Sequence, residues 1–138
     1  MSRLLSDKPC EVTFQDRISR SKITVRYRLP TEEERMQYSN SLVKRVKGRI
    51  ESNVGPARLK AGASIILGFA DGAFSTDKGP LSSDPASPHY DPDWKTFVRK
   101  YAPDVLVMLA LHAFEISLVL DEPASEDEEG AGNDEDPS

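Results

Sequence analysis

The longest apolar run in the chain is Pro103–Asp121, PDVLVMLALHAFEISLVLD. Asp104, Met108, His112, Glu115 and Val119 recur in it at spacings of four, four, three and four, so the run predicts a helix with one mixed stripe on an otherwise apolar cylinder. Such a helix is the expected spine of the core. Strict alternation marks two earlier segments: Val12 and Phe14 within Cys10–Asp16, and Ile23, Val25, Tyr27 and Leu29 within Lys22–Leu29. These predict a pair of half-buried strands. The linker Arg17–Ser21 is short enough for a hairpin, though it lacks Asn-Gly or Asp-Gly and leaves the turn type open. A lone hairpin is marginal in water, so its Val12/Phe14/Ile23/Val25/Tyr27 face must lie on helices, or its edge must pair with another chain.

Between these segments the helix signals are local. Thr31-Glu32-Glu33-Glu34 has the form of a capping box, with carboxylates at the positive end of a new helix. Met36, Leu42, Val43, Val46 and Ile50 extend that helix toward Asn53, with Lys44, Arg45, Lys47 and Arg49 complementing its negative end. A second helix is expected over Ala57–Phe74, weakened by Gly62, Gly68 and Gly72. The Gly68–Gly72 spacing points to close packing and has no mechanism of its own. Asp77–Pro92, rich in Pro, Ser, Asp and Gly, reads as a long loop suited to contact with a partner. Asp91-Pro92 then reads as N-cap and first turn of a short helix through Trp94, Phe97, Val98 and Tyr101. The pattern as a whole predicts an α+β fold, an N-terminal β-hairpin packed on about four helices, in one domain over 10–121. Residues 1–9 are expected to be a flexible lead-in.

Charge divides the chain. Residues 122–138 hold eight acids and no base, whereas Arg17–Lys60 holds 12 Lys or Arg against four Glu. An end of that composition is expected to be a disordered acidic tail, and opposite charge suggests that it folds back on the basic half. Within that half Arg26, Arg28, Lys44, Arg45, Lys47 and Arg49 are the candidate phosphate-binding residues. A solvated basic face is the simpler account, because Glu32–Glu34 interrupt the run and no recognition helix or RNA-binding motif is present.

Other chemistry is thinly represented. His112 and Glu115 share a predicted helical face, but no second His or Cys stands nearby to complete a metal site, so a histidine held by a carboxylate is the simpler reading. Asp84, Asp91 and Asp93 invite a calcium loop, yet Thr96 and Ala102 occupy the positions where Gly and Glu are needed. No nucleotide-binding, nucleophile-elbow, CxxC or HExxH motif occurs, and no catalytic residue, cofactor or metal is expected. Cys10 is alone, the N-terminus lacks a signal-peptide core, and the Val105–Leu120 run is too short and too interrupted to span a membrane. The expected compartment is the cytoplasm, with no membrane association.

The order of parts, a strand ending in VRYRLP, a TEEER helix, a Gly-rich middle, DPDWKTFVRKYAPD and a final LHAFE helix, resembles phage and prophage tail assembly chaperones over residues 10–121. The resemblance implies a non-enzymatic cytoplasmic protein that shields a tail-tube or tape-measure protein before assembly. It transfers no site residues. The side chains that would present apolar surface to such a partner are Trp94, Phe97 and Tyr101, and the free hairpin edge suggests a homo-oligomer. A nucleic-acid-binding accessory protein using the basic Arg17–Lys60 region is the alternative.

Overall fold

The computed structural model describes residue 2 and residues 5–115. The acidic segment and the far end of the predicted Pro103–Asp121 helix, including Val119, lie outside these residues. Among the described residues the fold is α+β, with small antiparallel sheets and four α-helices.

Strands β1 (Cys10–Gln15) and β2 (Lys22–Tyr27) form the predicted hairpin, with Val12 opposite Val25 and Phe14 opposite Ile23. Ile23, Val25 and Tyr27 are buried, and on the opposite face the Thr13 and Thr24 hydroxyls share a hydrogen bond of 2.8 Å. The second edge of β2 is covered from within the chain. Strand β5 (Ile66–Phe69) pairs with it, Val25 opposite Phe69 and Tyr27 opposite Ile66, giving the order β1-β2-β5.

Helix α1 (Glu32–Ser41) begins on the predicted capping box. Thr31 Oγ1 accepts from the Glu34 amide at 3.1 Å, and the Glu34 carboxylate accepts from the Thr31 amide at 2.9 Å. The helix does not run on to Asn53. It gives way to a hairpin, β3 (Val43–Val46) and β4 (Arg49–Ser52), turning at Lys47-Gly48. Both turn residues have positive φ, 51° and 81°, the two-residue type I′ turn whose twist matches paired strands. The four bases expected at the helix end therefore sit on strands and a turn, and the last turn of α1 has none.

The expected Ala57–Phe74 helix is also corrected. Helix α2 spans Val54–Ile65, after which Ile66–Phe69 turns extended because the edge of β2 offers backbone partners that a helix would forgo. Gly68 lies on that strand, where a Cβ would stand 2.7 Å from Ser83 Oγ, and Gly72 occupies a turn at φ +92°. Close helix packing belongs to Gly62 instead: a Cβ there would come within 2.0 Å of the Leu106 carbonyl oxygen.

Phe74 begins a third hairpin, β6 (Phe74–Thr76) with β7 (Gly79–Leu81), at the mouth of the expected loop. Asp91-Pro92 does not open a helix. Asp91 Oδ1 accepts from the Asp93 amide at 2.8 Å in a local turn, and helix α3 starts at Trp94 and ends at Tyr101. Helix α4 (Pro103–Ala110) follows with Pro at its first position and continues as a π-helical turn, Leu111–Glu115. The core lies where α4 crosses α2 and covers the sheet, with Val25, Ile65, Phe69, Leu106 and Leu109 fully enclosed.

Candidate functional site

The β6–β7 hairpin is fastened to the sheet by two buried serines. Ser83 Oγ accepts from the Phe69 amide at 2.9 Å, occupying the outer edge of β5, and Ser82 Oγ donates to Asp71 Oδ1 at 2.8 Å. Backbone bonds from Ser82 to His89 and from Asp91 to Ser82 close the loop that follows, so the expected long loop is pinned at its neck.

Across from this hairpin runs α3, and between them opens a groove of about 500 Å³. Leu81 and Val98, both buried, form its floor. Phe74 and Phe97 form half-buried walls, and Tyr101, 72% exposed, stands at the rim. Ser75, Thr76 and Asp77 supply a polar border on the hairpin side. A second hollow of about 330 Å³ shares Thr76, Asp77, Leu81 and Phe97 and is flanked by Pro88, His89 and Tyr90. An apolar floor with half-buried aromatic walls, an exposed aromatic rim and a one-sided polar border suits the apolar face of a peptide segment.

Of the three aromatic residues expected to meet a partner, Phe97 and Tyr101 line the groove. Trp94 turns inward, edge-on to Phe69 with ring centroids 5.7 Å apart, and serves the core. The i, i+4 spacing of Phe97 and Tyr101 is visible in sequence; Phe74 and Leu81 join them only because the hairpin folds over α3.

The six candidate phosphate-binding residues are dispersed. Arg28 forks onto Glu34 at 2.7 Å through both terminal nitrogens and also donates to the Ser64 carbonyl at 3.0 Å. That pairing holds the Glu34 carboxyl down at about 2. Arg26 lies across β5 over Gly68. Only Lys44, Arg45, Lys47 and Arg49 stay together, all exposed on the β3–β4 hairpin.

His112 and Glu115 do not meet as a pair. The π-turn changes the number of residues per turn, so side chains three apart no longer share a face. His112 packs edge-on to the Tyr27 ring, centroids 5.9 Å apart, so an aromatic ring rather than a carboxylate holds it. Glu115 turns to α1 and α2, accepting from Arg58 Nε at 3.1 Å, from a terminal nitrogen of Arg58 at 3.2 Å, and from the Tyr38 hydroxyl. Arg58 and then Tyr38 hold the Glu115 carboxyl below its ordinary range, while burial, reinforced by Glu115, raises the Tyr38 phenol. Nothing local in the sequence announces Arg58 as the partner.

Among the described residues no three His, Cys, Asp or Glu side chains gather as a metal site. No helix among them is long and apolar enough to cross a membrane. The chain matches no family model, no curated protein and no solved structure.

Proposed function

We propose that this chain is a non-enzymatic, cytoplasmic protein-binding module of the tail-assembly-chaperone kind, holding an apolar segment of a tail-tube or tape-measure protein until assembly. The observation that carries the reading is the groove between β6–β7 and α3, with Tyr101 exposed at its rim beside half-buried Phe97 over an apolar floor. A rim residue as open as Tyr101 contributes little to folding, and large aromatic residues of this kind supply most of the binding energy at interfaces. The sequence resemblance gives the partner its class. Coexpression of the full chain with phage tail-tube and tape-measure proteins tests the reading. A stable complex is expected with one of them, weakened roughly tenfold or more by Tyr101→Ala combined with Phe97→Ala. Failure to bind either protein, or a complex indifferent to both substitutions, overturns it.

The second reading, a nucleic-acid-binding accessory protein, is favoured by the four exposed bases of the β3–β4 hairpin. A two-stranded ribbon fits the major groove of duplex DNA, and retention on DNA that falls steeply with salt is its signature.

A further inference from the structure

The β3–β4 hairpin concentrates positive charge on an open scaffold. Lys44, Arg45, Lys47 and Arg49 are exposed, Glu51 is the one acid on either strand, and among the described residues none of the four bases makes an ion pair. Val43 and Ile50, 53% and 68% exposed, show that the hairpin is not covered by the core. It is secured at its root, where Asn53 donates from its amide to the Leu42 carbonyl at 2.8 Å and from Nδ2 to the Ser41 carbonyl at 2.9 Å.

The chain leads back to that root. Glu115 is clamped by Tyr38, three residues before Ser41, and by Arg58, five residues after Asn53, so it lies within about a turn and a half of the hairpin along either helix. The acidic segment starts at Glu122, seven residues further on, a reach of up to about 25 Å of extended chain. Four strand residues rise only about 14 Å from root to tip. Glu126-Asp127-Glu128-Glu129 can therefore lie alongside Lys44–Arg49.

We propose that the acidic segment Glu122–Asp136 docks within the same molecule on the β3–β4 hairpin, setting its carboxylates against Lys44, Arg45, Lys47 and Arg49. Charge complementarity and tether length select this occupant. The segment has eight acids and no base, and its attachment gives it an effective concentration in the millimolar range, which no separate polyanion matches at ordinary concentrations. Single exposed ion pairs are weak, and the segment brings no large apolar residue to Val43 or Ile50, so the contact is electrostatic and salt-labile. Nucleic acid would then reach the hairpin only by displacing the segment.

The test compares the isotope-labelled full chain with a full-length variant whose eight acids are replaced by Asn and Gln. In about 20 mM salt the amide resonances of Lys44–Arg49 differ between the two chains, and the difference collapses near about 0.5 M salt. Duplex DNA binds the neutralised chain roughly tenfold more tightly or better, and adding K44Q, R45Q, K47Q and R49Q removes that gain. The resonances of the intact chain stay constant over roughly twentyfold dilution, as an intramolecular contact requires. Identical Lys44–Arg49 resonances in the two chains, or equal DNA binding by both, overturns the proposal. Dilution-dependent resonances overturn it too, because the docking is then between copies. Resonances of the buried core, unchanged in every variant, report that the fold is intact.

Discussion

The Tyr38 hydroxyl donates to the Glu115 carboxylate across 77 positions of sequence, joining α1 to the π-helical turn while Arg58 of α2 grips the same carboxylate. Tyr38 also packs against Phe114 with the rings tilted, centroids 4.8 Å apart, so the phenol oxygen can be removed without disturbing the ring. Tyr38→Phe is expected to lower the unfolding free energy by about 1 kcal/mol, read from urea denaturation. Combined with Glu115→Gln it should cost less than the two single changes added together, since both remove the same bond.

Acid should weaken the fold through two carboxylates. Arg28 lowers Glu34 from an ordinary 4.5 to about 2, and Arg58 leads the lowering of Glu115. Both groups are more acidic in the folded chain, so their contribution is complete above the ordinary carboxylate range and is lost as pH falls below it, for Glu34 between about 4.5 and about 2. The urea midpoint should drop across that interval. The E34Q/E115Q chain should be less stable at neutral pH and show a flatter profile. Arg28 is 40% exposed, so water screens its share, and the Glu34→Gln cost is expected to be about 1 kcal/mol.

Two glycines of α2 should respond in opposite directions to the same substitution. Gly62→Ala drives a methyl against the Leu106 backbone and should cost about 3 kcal/mol or more. Gly55 has nothing within 4 Å of the corresponding position, so Gly55→Ala should be neutral or stabilising by up to about 1 kcal/mol. Thermal denaturation of the two variants decides the matter.

The turn of the β3–β4 hairpin gives a local test. Gly48, at φ +81°, has open space around it, so Gly48→Ala penalises only the left-handed backbone, by about 1 kcal/mol. Amide exchange over Val43–Ser52 should quicken severalfold while the exchange of Val25, Ile65 and Leu109 stays unchanged.

These variants fall where the sequence is easiest and hardest to read. The Thr31/Glu34 cap and the alternation in β1 and β2 are decided by neighbouring residues, and the structure reproduces them. Val43, Val46 and Ile50 are spaced three and four apart and imitate a helical stripe, while the turn that makes them a hairpin is Lys-Gly, outside the usual Asn-Gly signal. Ile65–Phe69 is a short apolar run, and periodicity alone does not distinguish such a run in a strand from one in a buried helix. The open edge of β2, distant in sequence, determines the outcome. Half of the groove was legible for a similar reason: Phe97 and Tyr101 share one helix, but Phe74 and Leu81 reach them through a hairpin read as a helix end and a loop.

Strand β5 also sets the order in which the sheet can be completed. Its partners on β2 lie on the far side of residues 28–65, so the closure that joins them is a long loop whose entropy must be overcome before the contacts contribute. During synthesis β1 and β2 can pair early, but the second edge of β2 stays open until Phe69 has left the ribosome. In that interval it is a ready site for strand capture by another nascent chain. Prompt arrival of Ile66–Phe69 thus guards against misassembly as well as completing the core.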